Sequence, residues 1–192
     1  MKKLLVLACA TATFTLATGS AIADSIKGKI GVTGKIGLQI PADSDFGPFT
    51  NKTDVGFIGG GGLIYGIDDH FAAEFDVTRS MFSSDFGDFG VTNVSMGAQY
   101  RFVLSQPQLV PYLGAGLDIL MIDADRDRNV DTTVGVHASA GADYFIMKQL
   151  ALTAEAKLVV APDTDINDST GKRGNFNPNS FSTTLGVRYF FN

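Results

Sequence analysis

The sequence contains very little cysteine and few long apolar runs. It contains one cysteine, Cys9, and no tryptophan. Because Cys9 lies in an N-terminal segment that we expect to be removed, the mature chain is expected to have no disulfide and no thiol chemistry. Beyond that segment, no apolar run approaches the ~20 residues of a membrane-spanning helix. The net charge of −5, without a basic cluster, argues against a nucleic-acid partner.

The N-terminal segment has the features of a secretory signal peptide. Two lysines precede an apolar stretch, and the segment ends on the small residues of Ala21-Ile22-Ala23. This pattern predicts a signal peptide over residues 1–23 and a single mature domain over residues 24–192. A lipoprotein signal ending at Cys9 is the alternative, although its apolar region would be shorter than usual.

The mature chain alternates apolar and polar residues. From residue 26 to residue 40, every second residue is apolar or glycine, which predicts a strand with one apolar face and one polar face. Because a closed sheet of such strands can cross a membrane, we expect an all-β, eight-stranded antiparallel up-and-down transmembrane barrel. The predicted strands are residues 26–40, 55–67, 71–79, 94–102, 112–122, 134–144, 150–160 and 181–191.

Charged residues follow the same alternation. Among the strand residues only Arg79 falls on the apolar face, at the end of its strand. Since a lipid-facing Lys or Arg at mid-depth costs about 2–4 kcal/mol, the distribution favours lipid on the apolar side. We predict a salt-bridged charge network in the barrel lumen, with a narrow gated channel as the alternative. Its members are Lys35, Glu74, Asp76, Arg101, Asp118, Asp143, Glu155, Lys157 and Arg188.

The connections alternate between short and long segments. Tight turns alternate with longer segments, rich in Asp, Gly, Pro and Asn, at residues 41–54, 81–92, 123–133 and 161–180. This asymmetry predicts short periplasmic turns and four long extracellular loops. All five tyrosines lie near the short-turn ends, where a ring can be buried while its hydroxyl stays hydrated. We therefore predict an aromatic girdle of Tyr65, Phe71, Tyr100, Phe102, Tyr112, Tyr144, Tyr189 and Phe191.

Alternation alone does not identify the outer face. A soluble lipocalin-like barrel has the same pattern inverted, with the apolar face as its core. The tyrosine positions, the loop asymmetry and strands at or above the ~9–11 residues that span a bilayer favour the membrane barrel.

The last strand resembles the C-terminal assembly signal of bacterial outer-membrane barrels. Thr184, Gly186, Tyr189 and Phe191 fill its polar, glycine and two aromatic positions. The mature chain also resembles the small barrels that include OmpX, OmpW, Opa proteins and the OmpA barrel. This resemblance implies an outer-membrane location, no cofactor, and three partners: outer-membrane lipid, lipopolysaccharide and the barrel assembly machinery. A host or surface ligand is left open.

Three functions fit this resemblance. The first is non-enzymatic: envelope integrity or surface interaction through the loops. The second is an OmpW-like narrow channel for small or hydrophobic solutes. The third is an outer-membrane lipid-modifying enzyme, because His137, Ser139 and Glu155 are the residue types of a lipid A deacylase.

Two further motifs carry no predicted site. An acidic run at residues 123–131 departs from the calcium-hand pattern at Arg128 and Val134. We therefore predict no resident metal, with divalent-ion bridging to lipopolysaccharide as an alternative. The four glycines at residues 59–62 precede no helix, so they indicate a crowded or bent sheet rather than a phosphate cradle.

Overall fold

Eight long strands form the barrel in the described part of the chain. A computed structural model describes residues 25–42, 44–46, 49–51, 54–82, 89–104, 108–124, 129–130, 132–168 and 171–191. Strands β1 to β8 are Ile30–Pro41, Gly56–Gly66, Phe71–Phe82, Phe89–Arg101, Leu109–Ala124, Thr133–Phe145, Leu150–Val160 and Ser180–Phe190. None of the described residues forms a helix of the length and apolarity needed to cross a membrane. The predicted signal peptide lies outside the described residues.

The eight strands close into an up-and-down barrel. Each strand pairs antiparallel with the next one in the chain. The first and last strands close the ring, with Gly34 of β1 opposite Val187 of β8. The predicted eight-stranded antiparallel barrel is confirmed.

Successive side chains point alternately outward and inward, as the sequence pattern predicts. On β1, Ile36 is 73% exposed, whereas its neighbour Lys35 is 6% exposed. The outer wall is therefore apolar and the interior carries the polar and charged side chains.

The strands reach further than predicted at the long-loop end. β3 continues to Phe82, β4 begins at Phe89 and β5 continues to Ala124. Among the described residues, five short strands lie within predicted loops 41–54, 123–133 and 161–180: Ser44–Phe46, Phe49–Asn51, Asn129–Val130, Thr164–Asp168 and Gly171–Phe176. Paired backbone thus continues beyond the barrel. The sequence did not predict these strands because the apolar–polar alternation is weak in these segments, although their backbones still form the hydrogen bonds of a sheet.

The first strand begins at Ile30, later than predicted. This corrects the prediction that Ile26 lies in this strand on its apolar, outward face. Gly28 has a φ of 72°, a conformation that ends an extended strand and favours glycine. Gly28 N donates to Gly66 O at 2.7 Å, which fixes the turn beside β2. Ile26 is consequently buried inside the barrel mouth rather than on the outer face.

Two clusters of buried apolar residues lie at the two ends of the interior. At the short-turn end lies the turn-side cluster: Ile26, Ile64, Ala72, Val110, Phe145, Ala151 and Phe190. At the other end lies the loop-side cluster: Phe82, Val91, Leu120, Ile122, Val159 and Ala161. Polar side chains fill the space between them.

The glycine run in β2 is a crowded stretch of sheet. A Cβ at Gly60 would lie 2.2 Å from Val77 O, and one at Gly62 would lie 2.0 Å from Asp76 Oδ1. Only glycine allows β3 and its side chains to approach this closely. This close approach agrees with the crowded-sheet interpretation.

Candidate functional site in the barrel interior

One group of buried charges lies next to the turn-side cluster. Arg188 Nη1 lies 2.8 Å from Asp143 Oδ2, and Arg101 Nη2 lies 2.8 Å from the same oxygen. Arg188 Nη2 also donates to Glu74 Oε1 at 2.9 Å. Two guanidinium groups therefore share the fully buried Asp143 carboxylate, an arrangement that compensates its desolvation.

Local strand composition makes room for this group. Asp143 on β6 and Arg188 on β8 are separated by β7, where their register partners are Thr153 and Ala151. Because these two β7 side chains are small, the long Arg188 side chain can cross the strand to reach Asp143.

A second group is centred on Lys35. Its ammonium lies 2.7 Å from Asp76 Oδ2 and 3.4 Å from Glu155 Oε1. Tyr112 donates its hydroxyl hydrogen to Glu155 Oε2 at 3.2 Å. Arg188 lies over the Tyr112 ring, with 5.7 Å between its Cζ atom and the ring centroid, so this tyrosine connects the first two groups.

A third group surrounds Asp118, nearer the loop-side cluster. Its carboxylate contacts His137 Nδ1 at 2.5 Å, Lys157 Nζ at 2.8 Å and Asn93 Nδ2 at 2.7 Å. All nine predicted lumen charges thus lie inside the barrel, each in at least one ion pair.

Tyr112 is a correction to the predicted girdle. It is 2% exposed and points into the lumen, because its neighbour Leu113 faces outward and strand residues alternate. The position of Tyr112 near the short-turn end favoured the girdle, whereas the alternation along its strand indicates correctly that Tyr112 faces inward.

The other predicted girdle residues lie on the outer side near the short-turn end. Six are exposed and Tyr144 is half-buried. Phe71 and Phe102 both contact the ring of Tyr100 edge-on, with centroids 5.1 and 5.0 Å apart. The six exposed members are Tyr65, Phe71, Tyr100, Phe102, Tyr189 and Phe191.

Uncharged partners were missed by the sequence analysis. Gln99 donates to Glu74 Oε2 at 2.7 Å, and Gln39 accepts a hydrogen bond from Ser80. The alternation of the sequence indicates that both glutamines face inward. It does not predict their partners, because these depend on the stagger between strands.

A small cavity lies within the network. Its volume is about 20 Å³, and it is lined by residues that include Lys35, Asp76, Asn93 and Lys157. This is little more than the volume that one water molecule requires. Asp76 Oδ1 and Asn93 Oδ1, both buried, make no hydrogen bond within the described part of the chain.

The predicted His137, Ser139 and Glu155 combination is not assembled. His137 is the register partner of Val159, four residues from Glu155 on β7, which corresponds to roughly 13 Å along a strand. Glu155 contacts Lys35 and Tyr112 instead. Asp118 is the carboxylate that contacts His137.

No metal centre was found in the part of the chain that the structure describes, where no three His, Cys, Asp or Glu side chains are grouped to hold an ion. Three residues of the acidic run, Asp125, Asp127 and Asp131, lie outside the described residues.

An eight-stranded barrel with an apolar outer wall and a paired, charged interior is the architecture of small membrane-spanning barrels. Over residues 7–189 the chain matches the outer membrane protein beta-barrel domain family, and it belongs to that family. It is therefore an outer-membrane protein whose apolar face contacts lipid.

Solved structures with the same fold support this assignment. OprG from Pseudomonas aeruginosa has a TM-score of 0.69 at 14% identity, covering 89% of this chain and 97% of that one. Neisserial surface protein A has a TM-score of 0.58 at 20% identity, covering 88% and 99%. Outer membrane protein W from E. coli has a TM-score of 0.53 at 15% identity, covering 86% and 98%. No curated protein matches the chain.

Proposed function

We propose that this protein is a closed, non-enzymatic barrel that supports envelope integrity or surface interaction through its extracellular segments. The main support is the layering of the interior, in which the ion-pair network lies between the turn-side and loop-side clusters. A polar passage would require buried pairs to separate, at about 3–5 kcal/mol for each one broken.

A deletion strain tests the role in the envelope. We expect loss of the protein to increase sensitivity to bile-salt detergents and to large antibiotics that an intact outer membrane excludes. The full chain should restore resistance. Unchanged sensitivity, together with no binding of the intact cells to host matrix or heparin-coated surfaces, would contradict the proposal.

A loop-trimmed variant separates the two parts of the proposal. Short turns would replace residues 43–53 and 164–176, which lie beyond the barrel strands. If the barrel itself supports integrity, the trimmed chain restores detergent resistance. If the extracellular segments act in surface interaction, the trimmed chain restores resistance but not binding.

We propose that the assembly machinery and lipopolysaccharide are partners of this protein in the envelope. Tyr189 and Phe191 face outward at the end of the chain, with ring centroids 5.2 Å apart, where a partner can contact them. Phe191→Ala should reduce the amount of folded barrel in the outer membrane, and Phe102→Ala, at the same rim, should not. Equal losses would contradict recognition of the C-terminal strand.

The absence of enzymatic activity is also part of the proposal. It is supported by the separation of Glu155 from His137 and by the lumenal position of His137, away from lipid. Mass spectrometry of lipid A from cells with and without the protein should show the same acylation. Loss or gain of an acyl chain would contradict the proposal.

One observation favours the second candidate, an OmpW-like route for hydrophobic solutes. The loop-side cluster gives the outer part of the lumen an apolar lining. Among the described residues, the sheet order ends at Phe49–Asn51, and a free sheet edge there would give the extended wall a side exit. Ala161→Phe should slow uptake of a fluorescent alkyl probe into proteoliposomes if this route is used. Uptake at the protein-free rate would eliminate this candidate.

A further inference from the structure

The apolar outer surface does not end at the aromatic girdle. Five exposed residues continue it into two short turns, and we refer to them as the turn-side patch. They are Phe102, Val103 and Leu104, which follow β4, and Ile146 and Met147, which follow β6. Their exposures lie between 39 and 63%.

The patch is not a continuation of strand alternation. An extended strand would turn Val103 inward between Phe102 and Leu104, but all three are exposed because β4 ends at Arg101. Likewise Ile146 and Met147 are both exposed after the buried Phe145. Three consecutive exposed apolar residues in one turn and two in another indicate a contact with something other than water.

The two turns are joined through the barrel rim. Phe145 N donates to Gln108 O at 2.8 Å, and Phe102 N donates to Pro111 O at 2.8 Å. These hydrogen bonds hold both turns against β5, so that the patch follows the edge of the lipid-facing wall. Continuity with that wall identifies the occupant as lipid.

Distance and charge also fit a lipid headgroup layer. Leu104 is two residues beyond Phe102, which is at most about 7 Å along the chain. The headgroup layer adds roughly 5–8 Å to each side of the hydrocarbon core. Exposed Lys148 follows Met147 directly, and a lysine at this depth can reach lipid phosphates while its stem lies on apolar surface.

We propose that the turn-side patch inserts into the inner leaflet of the outer membrane and anchors the barrel at that depth, with Lys148 at the phosphate level. These turns therefore bind phospholipid rather than extending into the periplasm. The inference rests on the family assignment and not on any proposed role of the loops.

Single thiols measure the depth of the patch. Cys9 is the only cysteine, so a Cys9→Ser background gives one labelling site for each of Leu104→Cys and Met147→Cys. Leu117→Cys, on the outer face of β5, is the deep control, and Lys27→Cys, exposed at the barrel mouth, is the aqueous control. Heat-modifiable gel mobility confirms that each variant is folded.

Each labelled variant is reconstituted in vesicles of phosphatidylethanolamine and phosphatidylglycerol carrying an environment-sensitive fluorophore on the thiol. Lipids brominated near the headgroup should quench the Leu104 and Met147 labels by about half, since interfacial groups lie ~5–10 Å into this boundary. Aqueous iodide should quench the Lys27 label and leave these two nearly unchanged.

Two results would overturn the inference. Iodide quenching of both patch labels to the extent seen at Lys27 would place the turns in water. Protection from iodide and from all brominated lipids would mean that a second protein copy or another protein covers the patch.

Discussion

The carboxylate of Asp143 pairs with two buried guanidinium groups. It is fully buried between Arg101 and Arg188, so its removal leaves two guanidinium groups without their main counter-charge. Burial of an uncompensated charge is among the strongest single-residue effects on stability. The stability of the barrel should therefore depend more on this residue than on any lipid-facing one.

Asp143→Asn should lower the free energy of unfolding by about 3–5 kcal/mol. Urea titration of the refolded barrel, followed by heat-modifiable gel mobility, measures this change. Val187→Ala removes outward-facing apolar atoms next to Arg188 and is the matched control, with a smaller expected loss. Equal losses for the two variants would mean that the ion pairs contribute no special stability.

The close contact between Tyr112 and Gly141 can be tested separately from the ion pairs. A Cβ at Gly141 would lie 2.5 Å from the Tyr112 hydroxyl oxygen, so the glycine accommodates the tyrosine that links two charge groups. Gly141→Ala should be less destabilising in a Tyr112→Leu background, with a coupling energy of about 1–3 kcal/mol in a double-mutant cycle. The same cycle with Gly135→Ala, whose Cβ would meet Ala161 instead, should show no coupling. No difference between the cycles contradicts the contact.

The segment before β1 folds into one mouth of the barrel. Its conformation depends on Gly28, whose positive φ costs other residues about 1–2 kcal/mol. The turn directs Ile26 into the turn-side cluster. A change at Gly28 should therefore release the segment as a unit.

Gly28→Ala should destabilise the barrel by about 1–2 kcal/mol and accelerate tryptic cleavage at Lys27 and Lys29. Gly34→Ala is the control, because Gly34 has negative φ and open space around it. Cleavage rates can be followed by mass spectrometry of the folded protein. Unchanged cleavage in Gly28→Ala would contradict a role for Gly28 in holding this segment in place.

The β2–β3 turn should respond to pH through Asp68. Hydrogen bonds from the N–H groups of Phe71 and His70, both 2.7 Å, lower the pKa of this carboxyl. A carboxyl whose pKa is lowered by folding stabilises the fold above its unfolded value, near 4, and loses that contribution as pH falls through the folded value.

Asp68→Asn keeps an acceptor but removes the titration. Wild type should exceed this variant in unfolding midpoint at about pH 7, and the difference should shrink toward about pH 3. Asp68→Ala, which removes the acceptor at every pH, adds a loss that does not depend on pH. A wild-type advantage over Asp68→Asn that is constant with pH would contradict the assignment.

At the scale of the whole molecule, alternation predicted which residues face inward but not which of them meet. All nine lumen charges could be assigned because charge on the outer face is costly. The partner of His137 could not, because the stagger of β5, β6 and β7 brings Asp118 to it and places Glu155 elsewhere. The prediction for Ile26 was wrong because the positive φ at Gly28 ends the strand, so the residues before it do not alternate between the two faces.

We propose that the charge network, together with the apolar clusters on either side of it, closes the lumen. Single-channel recording of the purified full barrel in planar bilayers tests this most directly, with a porin in the same bilayers as the positive control. A closed lumen predicts no conductance steps from the wild-type barrel at neutral pH. Stable, ion-selective steps from the wild-type protein, altered in Lys35→Gln, would show that the interior is an open channel.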